Sequence, residues 1–216
     1  MTIVADDVTT VVQTGRLVQH TPVRAKRGKA IGKTLGLGVS CHVGSLIEIE
    51  ALAFPAAERR KGTARFNDTA GTMAKDSVFN ASSVLRRVAG VDPFDYDLHV
   101  NVVGGGNIDG PSAGLAIFVA LYSAVRRLPL PQDVAMTGEL SIAGLVRPVG
   151  GIVEKLYAAR QAGMRMVLVP RENARDVDRA VDDIEVVLVS KVEDVLAALD
   201  IVHQARPLRR PKPVRS

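Results

Sequence analysis

The apolar positions repeat with two different periods along this chain. Residues 35–54 (LGLGVSCHVGSLIEIEALAF) read as two strands around a turn near Val43, Gly44 and Ser45. In the second strand Leu46, Ile47, Ile49, Leu52 and Phe54 surround Glu48 and Glu50. Residues 55–62 (PAAERRKG) form a polar loop, and Thr63–Asn67 predicts a further strand. Residues 72–89 suit a helix ended by Gly90 and Pro93. Leu98–Val103 predicts a strand, followed by a glycine-rich loop and an apolar helix from about Ser112 to Arg126. Val134–Ile142 reads as a strand and Ile152–Ala162 as a helix with Gly163 behind it. Met166–Val169, Asn173–Val181, Glu185–Val189 and Val192–Leu199 then alternate strand, helix, strand, helix. No internal repeat is visible. The pattern predicts an α/β chain of mixed α+β connectivity, with mixed sheets and packed helices.

The 216 residues are enough to bury a real core, and 47% of them are hydrophobic. One cysteine, Cys41, excludes an internal disulfide and a cysteine-based zinc cluster. No apolar run approaches the roughly 20 residues that span a bilayer. Acids stand near the N-terminus where a secretory signal needs basic residues. The expectation is a soluble, cytoplasmic protein without a membrane partner.

The net charge of +5 suggests nucleic acid until it is mapped. Residues 24–33 hold five basic residues and no acid, and residues 206–216 hold five more. The body, 34–205, is left at −4. Residues 1–33 thus read as a lead-in and basic linker, 34–203 as the folded domain, and 204–216 as a basic, proline-rich, disordered tail. Such flanks are ordinarily solvated, so DNA is not an expected partner.

Several motifs fail. GKAIGKT (28–34) has only three residues between Gly28 and the Gly-Lys pair, where a phosphate-binding loop needs four. Gly104-Gly105-Gly106 is not a dinucleotide fingerprint. The histidines His20, His42, His99 and His203 lack metal-ligand spacing, so no metal is expected.

One motif survives. Residues 109–114 read Asp-Gly-Pro-Ser-Ala-Gly. Pro111 suits the first turn of a helix, because its missing N–H would be unpaired there. Gly110 and Pro111 then make the turn that sets Ser112 among free backbone N–H groups and the positive end of a helix dipole. Such groups can stabilise an oxyanion. On this segment alone, an ordinary first-turn serine is the simpler reading. GPSAG also matches the G-x-S-x-G elbow of α/β-hydrolases, but no strand runs directly into it. The only histidine downstream is His203, so an esterase of that type is a poor fit.

A lysine is the alternative base. With Ile152 at 0° and about 100° per residue, Lys155 falls at about −60°, between Ala159 and Ala162 on the apolar side. Glu154 and Gln161 take the opposite face. Burial against small side chains would lower the lysine pKa and suit it to general-base work. A snorkelling lysine with a wet ammonium fits the wheel equally well.

Together these stretches resemble the proteolytic domain of the Lon family, the Ser–Lys peptidases. DGPSAG, AMTGELSIAGLVRPVGGIVEKLYAARQAG and VLVPREN are similar to that domain's signature stretches, in order. The resemblance covers about residues 35–200. It implies a compact Lon proteolytic domain and a dyad in which Ser112 attacks and Lys155 takes its proton. It also implies that Thr137 orients Lys155 and that Asp109 gates or orders the site. Glu139, in the same segment as Thr137, is assigned a structural role. Unfolded or damaged proteins and peptides would be substrates, in a homo-hexameric ring. Family members typically carry an AAA+ ATPase upstream, so ATP and Mg would enter only with that module and no cofactor is expected here. His99 and Asn101, and the loop GGGNIDG, are closer to the sporulation-type and ATP-independent branches. The competing reading is a non-catalytic Lon-like domain that forms rings or contacts DNA.

Overall fold

The computed structural model describes residues 23–66, 72–103, 110–177 and 183–201. The lead-in stretch Val8–Val18, the loop Gly104–Asp109, His20, His203 and the tail 204–216 lie outside the described residues.

A seven-stranded mixed sheet carries the fold. Its strands are β2 (Lys33–Ser40), β3 (Val43–Pro55), β4 (Ala64–Phe66), β5 (Tyr96–Val103), β7 (Val134–Met136), β10 (Met166–Pro170) and β11 (Glu185–Val189), in the order β11-β10-β7-β2-β3-β5-β4. β2, β3 and β5 pair antiparallel, and the remaining contacts are parallel. Two small ribbons flank it: β1 (Lys29–Ile31) with β6 (Pro129–Pro131), and β8 (Glu139–Leu140) with β9 (Val146–Arg147). The helices are α1 (Thr72–Ala89), α2 (Gly114–Arg126), α3 (Ile152–Gln161), the single turn α4 (Ala174–Val177) and α5 (Val192–Ala198). This is the α/β architecture expected from the pattern.

Strand alternation divides the core between the two faces of the sheet. Val134, Met136 and Leu168 join one cluster with α1, α2 and α5, while Ala135, Val167 and Val169 join another with α3. Leu35 and Leu37 of β2 lie on the α3 side. From Gly114 to Val125, α2 is buried all round, as a helix apolar on every side must be. On β5, Leu98, Val100 and Val102 are buried and His99, Asn101 and Val103 are exposed. Each fully buried leucine or isoleucine contributes about 1.5–3 kcal/mol. Among the described residues no helix is long and apolar enough to cross a membrane.

Several boundaries differ from the sequence expectation. The β2–β3 turn falls at Cys41 and His42, both left-handed (φ 49 and 63), rather than near Gly44. A two-residue hairpin loop of this kind needs positive φ at both positions. Gly44 serves another purpose: a Cβ there would lie 2.0 Å from the Glu154 carbonyl oxygen, so its absence lets α3 sit against the hairpin. The helix expected over 173–181 begins as a 3-10 turn (Arg171–Asn173) and then α4; residues 178–182 lie outside the described residues. β1 and β6 had no sequence signal. Proline is tolerated in β6 because the ribbon has two strands and both are edges. β1 belongs to the basic stretch 24–33, and from that stretch Ala25 N–H donates to Ala162 C=O at 2.8 Å.

Candidate active site

Ser112 stands at the centre of a 3-10 turn, Pro111–Ala113, that leads into α2. Gly110 before it is extended (φ −159), and Pro111 takes the first helical position. Ala113, after the serine, is the N-cap of α2. The sequence placed Ser112 in the first turn of a regular helix; the structure tightens that turn to three residues. The Gly114 N–H donates to the Pro111 carbonyl, closing it. Ser112 is half-buried, at the positive end of a thirteen-residue helix.

The strand expected over 134–142 breaks at this point. β7 ends at Met136, and the chain resumes as β8 only at Glu139. Between them, Gly138 N–H donates to Ser112 C=O at 3.0 Å, and Leu115 N–H donates to Gly138 C=O at 3.1 Å. The backbone that would have continued the sheet pairs instead with the serine turn. Gly138 has φ +155, and a Cβ there would lie 2.7 Å from Val146 Cγ1. A side chain at this position is therefore excluded by conformation and by space.

Thr137 is fixed from two sides. Its own N–H donates to Leu168 C=O at 3.1 Å, continuing the β7–β10 ladder. Ala135 packs in the α3-side cluster, so alternation puts Thr137 on that side as well. Thr137 is fully buried, and its hydroxyl has no hydrogen-bond partner among the described residues. Buried polar groups nearly always have a partner, and an orphan costs about 1–3 kcal/mol.

Lys155 lies in the first turn of α3, with its N–H donating to Gly151 C=O at 3.0 Å. Only 3% of the residue is exposed, beside the buried Ile152, Leu156 and Ala159. The buried reading of the helical wheel is the right one, and the snorkelling reading is not. Among the described residues its ammonium takes part in no ion pair or side-chain hydrogen bond. Burial lowers its pKa from 10.5 to about 8, and the charge of neighbouring Glu154 opposes that shift in part.

A model of the Lon protease (S16) C-terminal proteolytic domain matches residues 5–201. This chain belongs to that family. It is 36% identical over 209 residues to Lon protease 2 of Bacillus subtilis, covering 90% of this chain and 37% of that protein. It is 35% identical over 186 residues to the archaeal Lon protease of Pyrococcus abyssi, covering 84% of this chain and 18% of the relative. With Lon protease 1 of Thermus thermophilus it shares 38% identity over 195 residues, covering 84% of this chain and 24% of that protein. The chain therefore spans well under half the length of each of these relatives.

The Lon resemblance assigned roles to Ser112, Lys155, Thr137 and Asp109, and the turn chemistry of the segment singled out Gly110 and Pro111. The structure ties the serine turn to the Thr137–Gly138 segment and buries both Thr137 and Lys155. Asp109 lies outside the described residues. Glu139, one residue beyond Gly138, is exposed and pairs with Arg147 in the β8–β9 ribbon. His99 is exposed and makes an edge-to-face ring contact with Phe54, with ring centroids 5.7 Å apart. Gly138 was not singled out from the sequence, although it lies in a stretch that carried the resemblance; its part here is in backbone pairing, which residue type alone does not report.

Proposed function

We propose that this domain is a Lon-type serine endopeptidase whose chemistry is carried by Ser112 and Lys155. The observation that carries the reading is the buried Lys155, unpaired among the described residues, with its pKa lowered to about 8. Near neutral pH a useful fraction of such a lysine is the free amine, which can accept a proton.

In the acylation step the Lys155 amine takes the proton from the Ser112 hydroxyl as Oγ bonds to the peptide carbonyl carbon. The oxyanion is held by backbone N–H groups of the turn from Gly110 to Ala113, at the positive end of α2. The Lys155 ammonium then gives its proton to the leaving amine as the C–N bond breaks. Water attacks the resulting ester with the same amine as base, and Ser112 is regenerated. Thr137 completes the site: among the described residues neither its buried hydroxyl nor the Lys155 amine has a hydrogen-bond partner, and a hydrogen bond formed between them during the reaction would orient the base. None of these steps calls for a metal or cofactor.

Substrates are unfolded or damaged protein segments bound in extended form. β7 pairs with β2 only at Leu35 and Gly36, so Leu37–Ser40 has no β7 partner. A peptide strand added there would take backbone hydrogen bonds without regard to sequence. The wider assembly we propose is a cytoplasmic homo-hexameric ring, with an AAA+ module supplying unfolded chain in an ATP- and Mg-dependent manner.

The test is hydrolysis of an unstructured fluorogenic peptide. Ser112→Ala and Lys155→Ala should each lower the rate by three orders of magnitude or more, with the fold retained by circular dichroism. Full activity in Ser112→Ala would overturn the assignment.

A further inference from the structure

Val149 is the last residue before α3 whose backbone is held by a side chain, and the side chain is that of Asn173. Asn173 Oδ1 accepts the Val149 N–H at 3.0 Å, and its Nδ2 donates to the Val149 carbonyl at 3.0 Å. Both backbone groups of one residue are thus satisfied by one amide. This does for Val149 what a neighbouring strand would do, because the β8–β9 ladder has already ended at Arg147. Nδ2 also donates to Asp176 Oδ2 at 2.8 Å, which fixes which end of the amide is the donor. Asn173 is 6% exposed, so the clamp is shielded from competing water.

The clamp matters because of the residues just beyond it. Gly150 and Gly151 come next, then α3 with Lys155 in its first turn. Gly150 has no atom within 4 Å of where a Cβ would be. Two glycines in succession form a hinge unless the chain on either side is held. On the far side the hold is α3 itself; on the near side it is Asn173. Asn173 stands in the 3-10 turn at the end of β10, and β10 receives the Thr137 N–H at Leu168. One strand therefore references both the threonine and the lysine segment.

We propose that Asn173 is a positioning residue that fixes the Val149–Gly151 segment and, through it, the place of Lys155 relative to Ser112 and Thr137. The proposal rests on the Ser–Lys reading above. A base misplaced by about 1 Å can cost roughly a hundredfold in rate. Breaking the clamp should therefore lower kcat at least tenfold and leave KM unchanged. It should also admit water around the amine and move Lys155 back toward an ordinary lysine. Glu154 is the charge that acts on Lys155 among the described residues, and it is untouched by the substitution.

The experiment compares Asn173→Ala, Asp176→Ala and Arg147→Ala. Asp176 is exposed and orients the amide only from outside, so its loss should act in the same direction as Asn173→Ala but less. It also keeps the test decisive if Asn173→Ala does not fold. Arg147 is the control: its exposed 2.9 Å pair with Glu172 joins the same two segments without touching Val149. Peptide hydrolysis gives kcat and KM. The Lys155 titration is followed separately by NMR of labelled lysine in a Ser112→Ala background. The expected result is a fall in kcat and a raised Lys155 midpoint in the two clamp variants, with neither in Arg147→Ala. An unchanged Lys155 midpoint in folded clamp variants, or a kcat loss that only tracks the unfolded fraction, would overturn the proposal. If Ser112→Ala cleaves peptide as fast as wild type while the midpoint still moves in Asn173→Ala, the clamp stands and the dyad reading falls.

Discussion

The Gly138 N–H donates to the Ser112 carbonyl at 3.0 Å, joining the segment after β7 to the turn before α2. Thr137 immediately precedes that glycine, so the threonine and the serine are held by one backbone contact. The site is therefore built from backbone pairing first, and its side chains take their places from it.

Gly138→Ala tests that order. The new Cβ would meet Val146 Cγ1, and φ +155 strains any L side chain. The variant should lose about 1–3 kcal/mol of stability in denaturant unfolding. It should also lose activity beyond the unfolded fraction, because the Ser112 turn loses its anchor. Unchanged activity would mean the contact is incidental.

Thr137→Val removes the orphan hydroxyl and nearly keeps the shape. Since that hydroxyl has no partner among the described residues, stability should be unchanged or slightly increased. Activity should fall about ten- to hundredfold if the hydroxyl orients the amine. Thr137→Ser should retain most of it. A thermal melt beside a rate assay separates the two effects.

Lys155 should cost the fold stability at neutral pH. Its pKa is about 8 when folded and 10.5 when unfolded, so between these values the unfolded chain binds more protons. Wild-type stability therefore rises with pH across that window, by on the order of 3 kcal/mol. Lys155→Met, similar in length and uncharged, should be more stable than wild type below pH 8. The advantage should vanish above pH 10.5. Parallel stability curves at all pH values would contradict the burial of a chargeable amine.

Glu154→Gln removes the charge that partly opposes the depression of the Lys155 pKa. The pH midpoint of activity should move to lower pH. Movement to higher pH would place the titrating base elsewhere.

Much of this was legible in the sequence. Asp-Gly-Pro-Ser-Ala-Gly announced a first-turn serine because proline and glycine constrain the backbone locally. The period of α3 put Lys155 on its apolar side because burial follows helical geometry. The break between Met136 and Glu139 was marked only by Gly138, since Val134–Met136 is apolar and Glu139–Ile142 alternates polar and apolar, so both halves fit one strand. The interruption comes from the serine turn, which is distant in sequence. Gly44 misled for a related reason: a glycine needed for close approach of α3 looks the same as one needed for a turn. Asn173 showed only as part of a motif, because its role lies in two hydrogen bonds to Val149.

The most direct test of the Ser–Lys account is the pH dependence of covalent labelling by a serine-directed peptide boronate or activated lactone, read by intact-protein mass. The account predicts a single adduct mapped to Ser112, a labelling rate that rises through about pH 8, and loss of labelling in both Ser112→Ala and Lys155→Ala. Labelling that persists in Lys155→Ala with an unchanged pH profile would contradict it.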